Sequence, residues 1–407
     1  MSLDTVAPAP RPEGETGTGL FPGGLGPQPA DSLLALIGAF RADRRAGKID
    51  VGVGVYRDPQ GRTPVLRAVK EAERRLVAGQ ETKAYLGPEG DAGFFEALKP
   101  IIFGDADHGA RLVGLQTPGG TGALRLAAEL IARFNPQARI WVGEPTWPNH
   151  HPILQAAGLE IMAYQHFDVA TQRLTFARAL DALSRARRGD VALLHGCCHN
   201  PVGADFDMTQ WRELAQLMRE RGVLPLIDLA YQGLGRGLDE DAAGARILLE
   251  TVGEGLLAYS CDKNFGLYRE RVGALYALAG EAAAAGVVQS NLLALARANW
   301  SMPPDHGAAI VRVILSDPAL AADWRTELAE MRDRIRGIRA LLADADPRLA
   351  PLRGQQGMFS TLPLTPQQVA RLRDERGIYM PASGRINLAG LTAETIPTFV
   401  DALASLR

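Results

Sequence analysis

From residue 29 onward the apolar and polar positions of the chain fall into two alternating rhythms. Stretches with helical apolar spacing include DSLLALIGAFRADRRAG, with Asp31 or Ser32 to cap it and Gly47 to end it, Val65 to Ala78, and MTQWRELAQLMRERG. The run IVRVILSDPALAADWRTELAEMRDRIRGIRALLADADP predicts a long helical region interrupted near Pro318, because proline lacks the amide that a helix interior needs. Between the helices lie short runs that are apolar throughout: RIWVGEP, DVALLHGCCHNP, VLPLIDLAY, GLLAYSCDKNF and RVGALYALAG. Strands of that kind are buried on both faces, and their alternation with helices predicts an α/β fold built on a mostly parallel sheet. IDVGVGVYRDPQGRTP reads as a short strand in which Gly52 and Gly54 either admit a close approach or merely punctuate an edge. After the Pro303–Pro304 break, GQQGMFSTLP, VARLRDERGIYM, GRINLAG and TIPTFVDALASL form a smaller α+β unit closed with the N-terminal segment.

Polar residues stand at the carboxyl ends of the apolar runs: Asn200, then Asp228 and Tyr231, then Lys263. In open α/β sheets that edge is where ligands bind. LQTPGGTGALRLAAELIARF places Gly119, Gly120, Thr121 and Gly122 directly before a helix, offering free amides and a positive dipole end to an anion. It matches neither a Walker loop nor the dinucleotide fingerprint. In the loop TKAYLGPEGDAGFFEAL, Tyr85 is either a packing anchor or a ligand-facing phenol.

Composition narrows the function. Lys+Arg 44 against Asp+Glu 46 leaves a formal charge of −2, with no basic excess to hold a nucleic acid. The 407 residues are enough for two domains, and no apolar run is long enough to cross a bilayer. The opening MSLDTVAPAPRPEGETGTG carries Asp4, Glu13 and Glu15 with no hydrophobic core, so residues 1–28 read as a disordered tail and not as a secretory signal. Cys197, Cys198 and Cys261 make neither a disulfide framework nor a CxxC metal pair, which points to a reducing cytoplasmic setting and no metal. Basic residues are overwhelmingly arginine, yet Lys263 is kept in YSCDKNFGLYRER as the only lysine after Lys99. An amine can lose its proton and attack a carbonyl, whereas a guanidinium stays charged. An ordinary solvated lysine at a strand end is the alternative.

Taken together, YLGPEG, TPGGTGAL, PTWPNH, LLHGCCHNPVG, DLAYQG, KNFGLYRERVG, PPDHG, GMFS and ASGRINLAG, in this order, resemble the fold type I pyridoxal-phosphate aminotransferases, in their aspartate and aromatic amino-acid subgroup. The resemblance implies a mostly parallel seven-stranded sheet in a large domain over 65–320, with residues 29–64 as an arm and part of a small domain completed by 321–407. It implies pyridoxal 5'-phosphate as cofactor and Lys263 as the Schiff-base lysine and proton carrier. Asp228 matches the carboxylate that pairs with the pyridine nitrogen, His150 the histidine behind it, and Trp147 the indole stacked on the ring. Tyr231 and Asn200 match the partners of the ring oxygen, and Gly120, Thr121, Ser260 and Arg271 the phosphate site. Arg385, helped by Asn200 and the Gly54 backbone, matches the grip on the α-carboxylate. Tyr85 and Arg297 match residues supplied from the neighbouring subunit of a homodimer, the tyrosine to the phosphate and the arginine to a side-chain carboxylate, with 2-oxoglutarate as acceptor.

Both subgroups keep both arginines, so the donor turns on the surroundings. Met302 and Ala84 replace asparagines typical of aspartate-preferring enzymes, whereas Val55, Thr63 and Thr121 are aspartate-like. Tyrosine and phenylalanine are the expected donors with aspartate also accepted; an aspartate aminotransferase with weak aromatic activity is the alternative. A β-lyase or decarboxylase is disfavoured by the paired arginines, and a DNA-binding regulator by the short N-terminal tail. Asp262 stands where this subgroup usually has serine; it should face away from a phosphate it would repel, the alternative being a weakened hold on the cofactor.

Overall fold

The computed structural model describes residues 32–406. The apolar runs pair into one seven-stranded sheet from β1 (Leu112–Pro118), β2 (Arg139–Glu144), β3 (Glu160–Gln165), β4 (Val191–His195), β5 (Leu224–Leu229), β6 (Gly255–Ser260) and β7 (Val272–Leu278), in the order β1-β7-β6-β5-β4-β2-β3. Pairing is parallel except at β7, which runs antiparallel to both β1 and β6. Successive residues of a strand serve opposite faces. Leu226, Ala258 and Leu275 meet Leu124, Ala127 and Ile131 of the helix Gly119–Phe134 on one side. Ile227, Leu257 and Tyr276 join Trp211, Leu214 and Leu248 in the core on the other. Each fully buried leucine or isoleucine there contributes about 1.5–3 kcal/mol over its exposed state.

Two strands escape the sequence pattern. β1 is hidden in the segment read as a Gly-rich turn, and β3 is an edge strand with one buried residue, Tyr164, so it carries no continuous apolar run. The helix foreseen up to Gly47 ends at Ala42, where Lys48 Nζ donates to the carbonyls of Phe40 and Asp43, each at 2.6 Å. Its proposed cap Asp31 and the 1–28 tail lie outside the described residues. The helical region does break near Pro318: His306–Ser316 ends, and Asp317 caps Pro318–Ala345 by accepting from Ala319 and Leu320 amides at 2.8 and 3.1 Å.

Beyond that helix, Phe359–Thr361 pairs antiparallel with Arg385–Asn387, and Ile378–Tyr379 pairs parallel with Ile49–Asp50 from the other end of the chain. The strand expected over IDVGVGVY is limited to those two residues, Ile49–Asp50. The carbonyls that follow are taken by side chains: Asn387 Nδ2 donates to Val53 and Val55 at 2.6 and 2.7 Å, and Arg385 Nη2 to Gly52 at 2.8 Å.

The topology decides what meets at the sheet's carboxyl edge. His195, Asp228 and Ala258 are register partners across β4, β5 and β6, so the polar residues that follow them emerge side by side. Because β7 is antiparallel, its first residue Val272 pairs with Pro118, the last of β1, and Arg271 arrives beside the Gly119–Gly120 turn. The approach is close enough to exclude a side chain at Gly273, where a Cβ would lie 2.5 Å from the Gly119 carbonyl carbon.

Candidate active site

A cavity of about 370 Å³ opens at this edge. Its wall brings together Gly54, Gly120, Thr121, Trp147, Asn200, Asp228, Tyr231, Lys263, Arg271 and Arg385, with Ser260 and His150 directly behind.

Lys263 follows β6 and sits in the wall with Nζ 3.5 Å from Ser260 Oγ and 5.1 Å from the centre of the Tyr231 ring. Enclosure by the fold pushes its pKa below the ordinary lysine value, against the opposing charges of Asp262 and Asp228. Its amine is thereby easier to obtain unprotonated, which no arginine could offer.

Asp228, near the end of β5, is 6 % exposed. Burial raises its pKa, but the hydrogen bond from His150 and the nearby positive groups outweigh it and hold the carboxyl below its usual value. His150 Nε2 lies 3.1 Å from Asp228 Oδ2 and Nδ1 lies 2.8 Å from Thr146 Oγ1. An ionised carboxylate only accepts, so Nε2 donates to Asp228, while Nδ1 is held by the Thr146 hydroxyl, which can donate or accept. Behind His150 the rings of His195, His199 and His166 form a row with centroids 5.1, 4.0 and 4.2 Å apart. Burial lowers His195 to about 3 and His166 to about 4, so both are neutral at pH 7.

Across the cavity, Asn200 Nδ2 donates to the Tyr231 hydroxyl at 3.4 Å, and burial pushes the Tyr231 phenol well up. Arg385 stacks its guanidinium 4.6 Å from the Phe359 ring centre. Asn200 Oδ1 and Arg385 Nε are buried without a protein partner. Unsatisfied groups of this kind cost about 1–3 kcal/mol each, and their position in a cavity wall marks a polar ligand.

At the opposite end, the helix Gly119–Phe134 starts with no side chain capping its amides. Gly119 has φ +70°, a conformation in which any other side chain is strained, and a Cβ at Gly120 would crowd Ser260 Cβ at 3.1 Å. Arg271 reaches the same turn, and a Cβ at Gly119 would lie 2.6 Å from its Nη2. The expectation for Asp262 is overturned here. Its side chain does not face away: it lines the cavity, is ion-paired with Arg271 Nη1, and accepts from the Val272 amide at 3.1 Å. The antiparallel return of β7 puts Arg271 and Val272 against it.

Tyr85 and Arg297 are not brought to this cavity within the chain. Tyr85 is 94 % exposed, and Arg297 is exposed with Nη1 on Ser301 Oγ at 2.5 Å. Their segments touch, since the Leu86 amide lies 3.0 Å from Met302 Sδ, so Ala84, Tyr85, Arg297 and Met302 belong to one outer region. Sequence reasoning missed Val53, His195, Tyr268 and Phe359 in the wall. Tyr268 and Phe359 sit in the quoted motifs KNFGLYRERVG and GMFS, and Tyr268 Oη accepts from the Tyr56 amide at 2.8 Å.

The donor set suits pyridoxal phosphate: uncapped amides, hydroxyls and a guanidinium for the phosphate, a buried carboxylate for a pyridinium, amide and phenol for the ring oxygen, and an amine for the aldehyde. The family model for aminotransferase class I and II matches residues 46–403. The chain is 56 % identical to a tyrosine aminotransferase of Rhizobium meliloti (strain 1021) over 91 % of its length and 96 % of the relative's. It is 45 % identical to an aspartate aminotransferase of Escherichia coli (strain K12), covering 93 % and 98 %. The solved structure of an aromatic-amino-acid aminotransferase from Burkholderia pseudomallei, covalently bound to pyridoxal phosphate, superposes with TM-score 0.91 at 37 % identity, covering 94 % of this chain and 98 % of that one. By sequence, fold and site the chain belongs to the pyridoxal-phosphate-dependent aminotransferases of class I and II, enzymes that exchange amino groups between amino acids and 2-oxo acids.

Proposed function

We propose that the chain is an aromatic amino-acid aminotransferase that moves the amino group of tyrosine or phenylalanine, and also of aspartate, to 2-oxoglutarate. The single observation that carries the aminotransferase chemistry is Lys263 Nζ in one cavity with Asp228, Tyr231, Asn200 and the Gly120–Arg271 end. Gly120, Thr121, Ser260 and Arg271 would hold the phosphate, Trp147 the ring face, Asp228 the ring nitrogen, and Tyr231 with Asn200 the ring oxygen. When bound, pyridoxal phosphate supplies an electron sink for the pair left on the substrate Cα after proton removal.

The protein's own share is positional and acid–base. Arg385, held by the Gly52 carbonyl and stacked on Phe359, would offer its guanidinium from the cavity wall to the substrate α-carboxylate, and Asn200 would add a second polar contact. Lys263 Nζ, its ammonium disfavoured by enclosure, takes the Cα proton and returns it on the far side of the transfer. His150 keeps Asp228 ionised and oriented. Both shifts run in the direction the exchange needs, toward a neutral amine at Lys263 and an ionised carboxylate at Asp228.

A homodimer with shared sites is supported by the outer region that carries Tyr85 and Arg297. An aromatic ring 94 % exposed and a carboxylate-binding arginine outside its own chain's cavity fit residues that serve a neighbour. In that arrangement Met302 and Ala84 would give the substrate side-chain pocket an apolar lining, and burial of an aromatic ring against it gains about 25 cal/mol per Å². The three cysteines are free and buried, in keeping with a cytoplasmic enzyme, and no helix among the described residues is long and apolar enough to cross a membrane.

The test is a visible absorbance band of the purified enzyme, followed on addition of tyrosine, phenylalanine and aspartate, with kcat/KM for each and 2-oxoglutarate as acceptor. The band is expected to shift with all three. A band indifferent to all of them rejects the aminotransferase reading, and a phenylalanine kcat/KM below about a thousandth of the aspartate value rejects the aromatic preference alone.

A further inference from the structure

The anion end of the cavity contains its own anion. Of the cations in the cavity wall, Lys263, Arg271 and Arg385, only Arg271 adjoins the Gly119–Gly120 turn. Its Nη1 is ion-paired with Asp262, whose side chain is 3 % exposed against 42 % for the arginine. The carboxylate is fixed from the other side as well, with Oδ1 accepting from the Val272 amide at 3.1 Å and Oδ2 on Arg271. Oδ2 also faces the turn, since a Cβ at Gly119 would lie 3.1 Å from it. Asp262 is therefore anchored by backbone as well as by the guanidinium, and cannot simply rotate away from the arginine without leaving an amide unpaired.

We propose that Asp262 is a cofactor-affinity determinant that offsets Arg271 and reduces how much the phosphate group contributes to cofactor retention. The proposal rests on the cofactor reading of this cavity. With +1 on Arg271 and −1 on Asp262, the ion pair brings no net charge to the turn. A phosphate dianion arriving there gains from the helix amides, the Thr121 and Ser260 hydroxyls and Arg271, and is opposed by a fixed carboxylate at the same guanidinium. The ring end of the cavity, with Asp228, Asn200 and Tyr231, does not involve Asp262. The phosphate's share of the affinity falls while the ring's share stays, so the enzyme discriminates weakly between pyridoxal phosphate and unphosphorylated pyridoxal and sheds its cofactor more readily on dilution.

The experiment compares the full-length enzyme with Asp262→Asn, which keeps the shape and removes the charge, and Asp262→Ser, which removes the carboxylate altogether. Pyridoxal phosphate and pyridoxal are each titrated by the visible band, and cofactor loss from the holoenzyme is followed on dilution. In both variants the ratio of pyridoxal phosphate to pyridoxal affinity should rise on the order of tenfold or more, through the phosphorylated form alone, with slower cofactor loss. Thermal unfolding without cofactor identifies a misfolded variant, and the other then carries the test. An unchanged or lowered ratio in a folded variant overturns the proposal and makes Asp262 a support for Arg271. Absence of any Lys263-dependent band from either compound in the unsubstituted enzyme would overturn the cofactor reading itself, an outcome distinct from a normal band with an unmoved ratio.

Discussion

Two buried aspartates flank Lys263 and are held in different ways by what stands against each. Asp228 is backed by His150, a partner deep in the fold and itself tied to Thr146, so its carboxylate remains a component of the cavity wall. Asp262 is committed to Arg271, a partner that belongs to the wall itself, and to the Val272 amide. A carboxylate supported from behind is available to a ligand, whereas one paired sideways with a binding group competes with the ligand. Burial is nearly the same in both, 6 % and 2 % exposed, so depth alone does not separate the roles.

The comparison can be broken most forcefully at Asp228. Asp228→Asn should lower kcat by about a hundredfold or more, since loss of even about two pKa units of stabilisation of a protonated ring nitrogen has that size. Single-turnover rates with tyrosine and aspartate check it; a rise in KM alone, with kcat unchanged, would show that the carboxylate merely shapes the pocket. The Asp262 variants should differ in kind, altering cofactor affinity through the phosphate.

His150→Phe should have a smaller effect, about tenfold to a hundredfold on kcat/KM, because Asp228 stays but loses its hydrogen bond. Burial then acts on Asp228 with less opposition, so its pKa rises and the pH below which the rate falls moves upward. A pH–rate profile distinguishes this from general destabilisation, which would leave the midpoint in place.

The smallest expected effect is on Lys263. Enclosure disfavours its ammonium, so its reaction with a small aldehyde in the cofactor-free enzyme should have a pH midpoint below that of an ordinary lysine. Both aspartates oppose that shift, Asp262 more than Asp228. Asp262→Asn should therefore move the midpoint further down, and by more than Asp228→Asn does. The reverse order would mean that Asp262 is neutralised by Arg271 as seen from the lysine.

Much of the fold was legible because fully apolar strands can be satisfied only inside a two-faced sheet. β5 and β6 announce themselves in LPLIDL and GLLAYS, whereas β3 does not, since an edge strand need not be apolar on both sides. The site was legible for a related reason. Asn200, Asp228, Tyr231 and Lys263 each follow an apolar run, and the rule that ligands bind at strand carboxyl ends brings them together without coordinates. Tyr268, Val53 and Phe359 were not visible in this way, because their segments reach the cavity through contacts between parts of the chain far apart in sequence.

The sequence by itself determined the chemistry: one late lysine among arginines, a Gly-rich helix start and the motifs that carry the family. It did not determine the surroundings of Asp262. That residue looked misplaced because local sequence says which group is present and not which way it faces. Only the tertiary structure, through the antiparallel return of β7 beside β1, laid Arg271 and the Val272 amide against it. Long-range strand pairing chose the partner of that charge, and the partner decides what the charge does.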